Sequence, residues 1–303
     1  MKEISVIGAT SPLGIDLVRL LVVNGYRVQA SFRTAERVPE LWREHSSITK
    51  QHLDLYDQNE VAAFCTKTVL WLAHIEQGRF NDREIETNLR VFDAFLNQPN
   101  ISQVKKIVFV SSGGSVYGEP DELPISENHL LEPLSSYGKA KAAMERRLYE
   151  FATKSGIATA IIRPGNIYGF TDPNDDYKGI VAAFLHSIET RRPFTRIHKG
   201  KTVRDFIHVD DVNRAIIAAF ESDRKHIVWN VATAKGHSIA DVIDMIQSKT
   251  GLNLPDFVDV ENYSSDVSSN ILSIDRITGE SDWRPQIDLE PGIAATVKAR
   301  LGL

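Results

Sequence analysis

Seven short runs of β-branched and aliphatic residues recur along the chain with amphipathic stretches between them, and this alternation restricts the available folds more than any other feature. The runs are EISVIG at the start, YRVQASF from Tyr26, ITKQHLD from Ile48, TVLWLA from Thr68, KKIVFVSS from Lys105, IATAIIRP from Ile157 and HIVWNV from His226. Most are nearly continuous in apolar residues, as a strand is when both its faces are covered. Between them, DREIETNLRVFDAFL places Ile85, Leu89, Phe92 and Leu96 on one predicted helical stripe. The pattern predicts an α/β protein built on a doubly wound parallel sheet. At 303 residues the chain has room for a main domain and a smaller lobe. The alternation loosens after Tyr168, through GFTDPNDDYKG, and again after Lys235. The expected division is therefore a main domain over 1–168, with 208–234 returning to it, and a C-terminal lobe from 169–207 and 235–303.

Charge and cysteine content narrow the partners. Lys and Arg number 35 against 40 Asp and Glu, a net charge of -5, which argues against a nucleic-acid surface. A single cysteine, Cys65, rules out an internal disulfide framework and suits a reducing compartment. No apolar run approaches the roughly 20 residues of a membrane span, and MKEISVIG reads as a first strand, not a secretion signal. A cytoplasmic, soluble protein is expected. The nine histidines show neither H-x-x-x-H spacing nor clustering with Cys65, so no metal site is expected.

The first run leads into GATSPLG, residues 8–14. Glycines stand at both ends, Gly8 and Gly14, but Ser11 fills the middle position of a G-x-x-G-x-x-G turn. Ser11 suits an N-cap and Pro12 the first helical position, so a helix is expected to begin there with its free amides and positive end over the turn. Such an end binds a pyrophosphate, which makes Thr10, Ser11, Pro12 and Leu13 cofactor-binding candidates with the two glycines. At the end of the second run a dinucleotide fold that takes NAD carries an acid, whereas an Arg suits the 2′-phosphate of NADP. Here the residues are Ser31, Phe32 and Arg33, so Arg33 points to NADP.

A second pair is tied by spacing. In SSYGKAKAAMERRL, Ser135 suits an N-cap, and Tyr137 and Lys141 stand four apart on one helical face. A nearby ammonium favours the phenolate, and a phenol so placed takes a proton from a hydroxyl or gives one to a carbonyl oxygen. The stretch follows a run ending in SSGGSVYG, which grazes the G-x-S-x-G elbow of serine hydrolases but has Tyr117 in the final glycine position.

With these motifs the chain resembles the extended short-chain dehydrogenases/reductases, a Rossmann-fold group that contains NAD-dependent nucleotide-sugar epimerases and dehydratases. The resemblance also rests on Asp54-Leu55, Leu72-Ala73, Asn88, Arg163-Pro164-Gly165-Asn166-Ile167-Tyr168-Gly169 and Arg204-Asp205-Phe206-Ile207-His208-Val209-Asp210-Asp211, and on the tail SDWRPQIDLEPGI. It implies that Asp54 and Leu55 flank the adenine, that Leu72, Ala73 and His74 line the cofactor, and that Ser111 and Asn88 lie along it. Asn88 has a second reading as a structural hydrogen bonder in its helix. Tyr137 is the implied acid/base and Lys141 the holder of the nicotinamide ribose. Pro164 and Ile167 fall near the nicotinamide, Asn166 near the substrate's phosphate and Arg204 on its diphosphate, where a guanidinium fork matches phosphate oxygens. Asp210 or Asp211 reads as the N-cap of the helix VNRAIIAAF. His208 and His237 read as structural.

Three positions depart from the family pattern. The usual catalytic Ser or Thr, three residues before the Val of V-Y-G, is Gly113 here, which leaves Ser112 and Ser115 as substitutes beside a substrate at 112–113. His74 stands where a small residue is usual. Tyr263 takes the place of a phosphate-binding Arg. The activity implied is NAD(P)-dependent epimerisation of a nucleoside-diphosphate sugar through transient oxidation at C4. The alternatives are NADPH-dependent reduction of a 4-keto sugar or other carbonyl, and a non-catalytic dinucleotide-binding protein. The resemblance points to NAD as cofactor and to a homodimer through the helices starting near Asp82 and Ser135.

Overall fold

A computed structural model describes residues 2–75, 82–170, 179–252, 255–261 and 267–302. The first half runs β1 (Glu3–Ile7), α1 (Pro12–Val23), β2 (Arg27–Phe32), β3 (Ile48–His52), α2 (Gln58–Phe64), β4 (Thr68–Trp71), α3 (Asp82–Leu96), β5 (Lys106–Val110), α4 (Gly113–Val116), α5 (Ser136–Ser155) and β6 (Ala158–Pro164). The second runs β7 (Asn166–Tyr168), α6 (Ile180–Thr190), β8 (Phe194–Ile197), β9 (Val203–His208), α7 (Val209–Glu221), β10 (His226–Val231), β11 (Gly236–Ser238), α8 (Ile239–Thr250), β12 (Phe257–Val260), β13 (Ser269–Asn270), α9 (Asp275–Glu280) and α10 (Leu289–Leu301).

All seven apolar runs enter one parallel sheet of order β10-β6-β5-β4-β1-β2-β3, the Rossmann-type arrangement expected. Their continuous hydrophobicity follows from burial on both faces. In β4 and β5, Leu70 and Val108 pack on the side of α1 and α7, while Val69, Trp71, Ile107 and Phe109 pack on the side of α3 and α5. Between β1 and β4 the chain order reverses, so a crevice opens beyond the carboxyl ends of these strands.

After β6 the architecture changes. Strand β9 pairs with β7, β11 and β13, and β8 pairs with β12. Phe184, Phe194, Phe206, Ile243, Ile246 and Ile293 form a separate core there. Helix α7 and β10 pack with the main sheet.

Two local expectations need correction. The buried face of α3 carries Glu84, Asn88, Val91, Phe92, Phe95 and Leu96, whereas Ile85 and Leu89 are only half-buried. The helix is rotated because Asn88 and Glu84 are engaged by the loop after β4. Helix α7 begins at Val209 with His208 as its N-cap, the ring Nδ1 accepting from the Asp210 amide. Neither aspartate caps it. Asp211 is fully buried and accepts from the Gln286 and Ile287 amides, docking the tail segment, while Asp210 pairs with Arg19.

Candidate active site

The start of α1 has the expected build. Ser11 Oγ accepts from the Gly14 amide at 3.1 Å, and Pro12 occupies the first helical turn. Gly8 has φ +87°, and a Cβ there would lie 2.7 Å from the Ala73 amide nitrogen. At Gly14 a Cβ would lie 2.5 Å from the Gly8 carbonyl oxygen. The two flanking glycines are therefore required, and the middle one is replaced by a capping hydroxyl without loss of the helix start.

Helix α5 starts the same way, with Ser135 Oγ accepting from the Gly138 amide at 3.0 Å. Gly138 lets α5 approach α4, since a Cβ would meet the Ser115 carbonyl oxygen at 2.2 Å. This approach brings Tyr137 and Lys141 over the ends of β5 and β6. Lys141 is 2 % exposed, donates to the Val110 carbonyl oxygen at 2.9 Å, and holds its ammonium 5.7 Å from the Tyr137 ring centroid. A buried ammonium beside a phenol favours phenolate.

Around this pair lies a cleft of about 310 Å³. Its walls come from Ser11, Pro12 and Leu13 of the first turn, Leu72 and His74 after β4, and Val110, Ser111 and Ser112 after β5. Tyr137 and Lys141 lie on α5, and Pro164, Gly165, Ile167, Phe170 and Gly179 follow β6. Ser111 Oγ is buried and has no hydrogen-bond partner among the described residues, so the cleft is short of a polar ligand atom. The helix end, the glycine turn and this hydroxyl together fit a dinucleotide.

Other predicted residues lie outside these walls. Arg33 is exposed at the tip of β2. Asp54, also exposed, accepts from the Tyr56 amide, and Leu55 beside it is half-buried. Thr10, within the glycine turn, and Ala73, packed against Gly8, are not among the cleft residues. The Asn88 amide is spent on backbone, with Oδ1 accepting from Ile75 N and Nδ2 donating to the Ile75 and Glu84 carbonyls, which supports its structural reading. Asn166 is half-buried, its Oδ1 beside Gly114. Arg204 is buried and donates to the Val203 and Val267 carbonyls, bracing the segment before β13. Tyr263 lies outside the described residues. At Gly113 a Cβ would fall 2.5 Å from Leu272 Cδ1 and 2.9 Å from the Arg163 carbonyl oxygen, so no side chain fits there. Ser112 faces the cleft and makes no capping bond for α4, whereas Ser115 is not among the cleft residues.

Two buried side-chain pairs were not anticipated from the sequence. Arg163 bonds Glu145 through Nε and Nη2 at 3.1 and 2.6 Å, and its Nη1 donates to the Tyr117 hydroxyl, which donates to Asn230 Oδ1. Burial opposes the Arg163 charge, but Glu145 outweighs it and raises the pKa, while burial pushes the Tyr117 phenol up to about 12 against the pull of Arg163. Glu145 stands one turn beyond Lys141 on α5, the one sequence clue to this clamp. The second pair joins His74 Nε2 to Glu84 Oε1 at 2.6 Å, and the His74 ring stands edge-on to Tyr137 with centroids 4.7 Å apart.

A parallel sheet with a glycine turn at its first helix, and a Tyr/Lys pair facing the crevice, defines a dinucleotide-dependent enzyme of the extended short-chain dehydrogenase/reductase type. The chain belongs to the NAD dependent epimerase/dehydratase family, whose family model matches residues 4–232. A putative UDP-glucose 4-epimerase of Methanocaldococcus jannaschii is 33% identical over 194 residues, 64% of this chain, which spans about 62% of that relative's length. The dTDP-4-dehydro-6-deoxyglucose reductase of Escherichia coli is 28% identical over 238 residues, covering 77% of this chain and 74% of the relative. Among solved structures, the Thermotoga maritima UDP-glucose 4-epimerase with UDP-glucose aligns over 98% of both chains with a TM-score of 0.86 and 26% identity. The Thermus thermophilus UDP-glucose 4-epimerase complex with NAD gives the same score and identity over 99% of both chains. No helix among the described residues is long and apolar enough to cross a membrane.

Proposed function

We propose that the protein is an NAD(P)-dependent 4-epimerase of nucleoside-diphosphate sugars, working in the cytoplasm as a homodimer through α3 and α5. The observation that carries this reading is the buried Lys141 ammonium beside Tyr137 in the cleft at the strand ends. Ser11 to Leu13 and the α1 amides would hold the pyrophosphate, and Ser111, Lys141, Pro164 and Ile167 the nicotinamide half. The cofactor, when bound, supplies hydride acceptance and return. Tyr137 takes the proton of the sugar's C4 hydroxyl and later gives it back to the carbonyl oxygen, while Lys141 keeps the phenolate accessible. Ser112, which lines the cleft and spends no side-chain bond on capping α4, is the better placed of the two serines to hold that oxygen. The half-buried Ile85 and Leu89 on α3, and Tyr149 on α5 at 70% exposure, supply apolar surface for a partner.

A second reading, NADPH-dependent reduction of a 4-keto sugar by the same residues, is favoured by the tip of β2. No acidic residue follows along the chain before Glu36. Ser31 Oγ accepts from the Gly8 amide at 2.9 Å, Phe32 lies edge-on to His52, and Arg33 is exposed. Purified protein incubated with UDP-sugars distinguishes the readings. Interconversion without net cofactor consumption identifies the epimerase, and stoichiometric NADPH oxidation with a keto sugar identifies the reductase. Tyr137→Phe should lower either rate about 10²–10⁴-fold, and full activity in that variant rules out both. Absence of turnover with retained dinucleotide binding leaves the non-catalytic reading.

A further inference from the structure

The His74–Glu84 pair has no part in the reading above, although it touches the residue on which that reading depends. Three observations place it. His74 lines the cleft directly after β4, at a position where the Gly8 turn already crowds the backbone of Ala73. Its Nε2 lies 2.6 Å from Glu84 Oε1, and both side chains are less than a tenth exposed. Its ring meets that of Tyr137 at an interplanar angle of 73° with centroids 4.7 Å apart.

The loop that carries His74 is held firmly. Asn88, one turn beyond Glu84 on α3, bonds both the amide and the carbonyl of Ile75 as well as the Glu84 carbonyl. A carboxylate only accepts, so it keeps the imidazole proton on Nε2 and fixes the ring plane. Among the described residues, the titratable groups placed around the imidazole are Glu84 from α3 and Tyr137 from α5, with Lys141 one helical turn further along.

We propose that His74, fixed by Glu84, is a positioning residue for Tyr137: the imidazole sets the direction of the phenol in the cleft, and the charge of the pair governs the phenol's proton. The Glu84 carboxylate adds negative charge at the His74 ring that meets Tyr137, and the Lys141 ammonium adds positive charge 5.7 Å from the Tyr137 ring centroid, so the phenol answers to both. A cation favours phenolate and an anion disfavours it. Because two neighbouring groups titrate together, a change at one appears in the other. The proposal rests on Tyr137 as the acid/base of the proposed function, yet its physical core concerns only this chain's own residues.

The test therefore begins without substrate or cofactor. Ultraviolet difference titration of wild type against Tyr137→Phe isolates the Tyr137 phenol. Repeating it in a Glu84→Gln background should lower the midpoint by about one pH unit. An unmoved midpoint overturns the proposal whatever the enzyme's substrate. With sugar nucleotide, His74→Gln should lower kcat about tenfold while leaving KM for the sugar nucleotide within about twofold, and Glu84→Gln should displace the pH–rate profile in the direction of the phenol titration. A His74→Gln protein with wild-type kcat and pH profile also overturns the proposal. The double variant His74→Gln/Glu84→Gln keeps an amide pair in place of the imidazole–carboxylate pair and serves if either single variant folds poorly. Lack of turnover by wild type on any sugar nucleotide sinks the proposed function but leaves the titration result standing.

Discussion

The two ends of the crevice are built differently. Beside β5 and β6, three ionisable side chains are cross-braced by buried bonds: Lys141 on the Val110 carbonyl, His74 on Glu84, Arg163 on Glu145. Beyond β2 and β3, Arg33 and Asp54 stand exposed, and the hydrogen bonds of Asp54 are local turns. The difference teaches where change is tolerated. Geometry for proton transfer is fixed by tertiary contacts that cannot shift singly, whereas the residues that would read the adenosine half sit on strand-end loops and can be exchanged without disturbing a core.

Breaking the braced end should have the largest effect. Arg163→Met strands the Glu145 carboxylate in a nearly dry site, and losing one partner of such a pair costs about 3–5 kcal/mol. Urea unfolding should show that loss, and Arg163→Met with Glu145→Leu should recover most of it, because an apolar pair avoids the desolvation penalty. A single variant as stable as wild type would mean that the clamp does not hold α5.

The same end should respond to pH through Asp205. Its carboxyl is fully buried on β9, with its backbone carbonyl packed against Gly165 of the cleft, and burial raises the pKa to about 6 against the bonds from Thr233 and Leu272. A raised carboxyl pKa means the folded chain binds more protons than the unfolded chain between about pH 4 and 6. Asp205 should therefore make stability fall as pH rises through that window and then level off, by an amount of order 3 kcal/mol. Asp205→Asn should flatten this part of the stability–pH curve, and an unchanged slope would assign it to other groups.

How far the sequence reveals this contrast depends on the range of each contact. Seven strands were legible because each must be apolar on both faces, and the caps Ser11 and Ser135 because capping acts within three residues. Asp210 and Asp211 misled because a tail segment some 75 residues away takes the Asp211 carboxylate, so the cap falls to His208. Glu84 and Arg163 carried no local signal, and Glu145 only its place one turn beyond Lys141, since their partners meet only when α3 and α5 pack beside the sheet. Gly113 was read as a missing hydroxyl. Its surroundings show why it is glycine: Leu272 and the Arg163 carbonyl leave no room for more.

The open end offers a smaller effect on a different property. Replacing Arg33 with Ser removes a charged donor from an exposed loop and should leave stability unchanged. If Arg33 meets the 2′-phosphate, the ratio of NADP to NAD affinity should fall about tenfold or more, in line with a charge-assisted hydrogen bond of about 1.5–3 kcal/mol. Cofactor titration by fluorescence measures both constants. Equal losses for the two dinucleotides, or none, would remove Arg33 from cofactor choice and weaken the reductase reading.

Ser111 supplies the smallest effect and the finest probe of the braced end, where it is the exception. Its hydroxyl is 2 % exposed and unpartnered among the described residues. A buried hydroxyl without a partner costs about 1–3 kcal/mol relative to a satisfied one, so Ser111→Ala should stabilise the ligand-free protein, by about 1 kcal/mol once the lost packing of the oxygen is counted. Dinucleotide should reverse the order, because only wild type gains the bond on binding. The two proteins are compared by thermal unfolding with and without saturating cofactor. A Ser111→Ala protein less stable than wild type in the ligand-free state would show that the hydroxyl already has a partner there. Equal stabilisation of both proteins by cofactor would show that it faces no ligand atom.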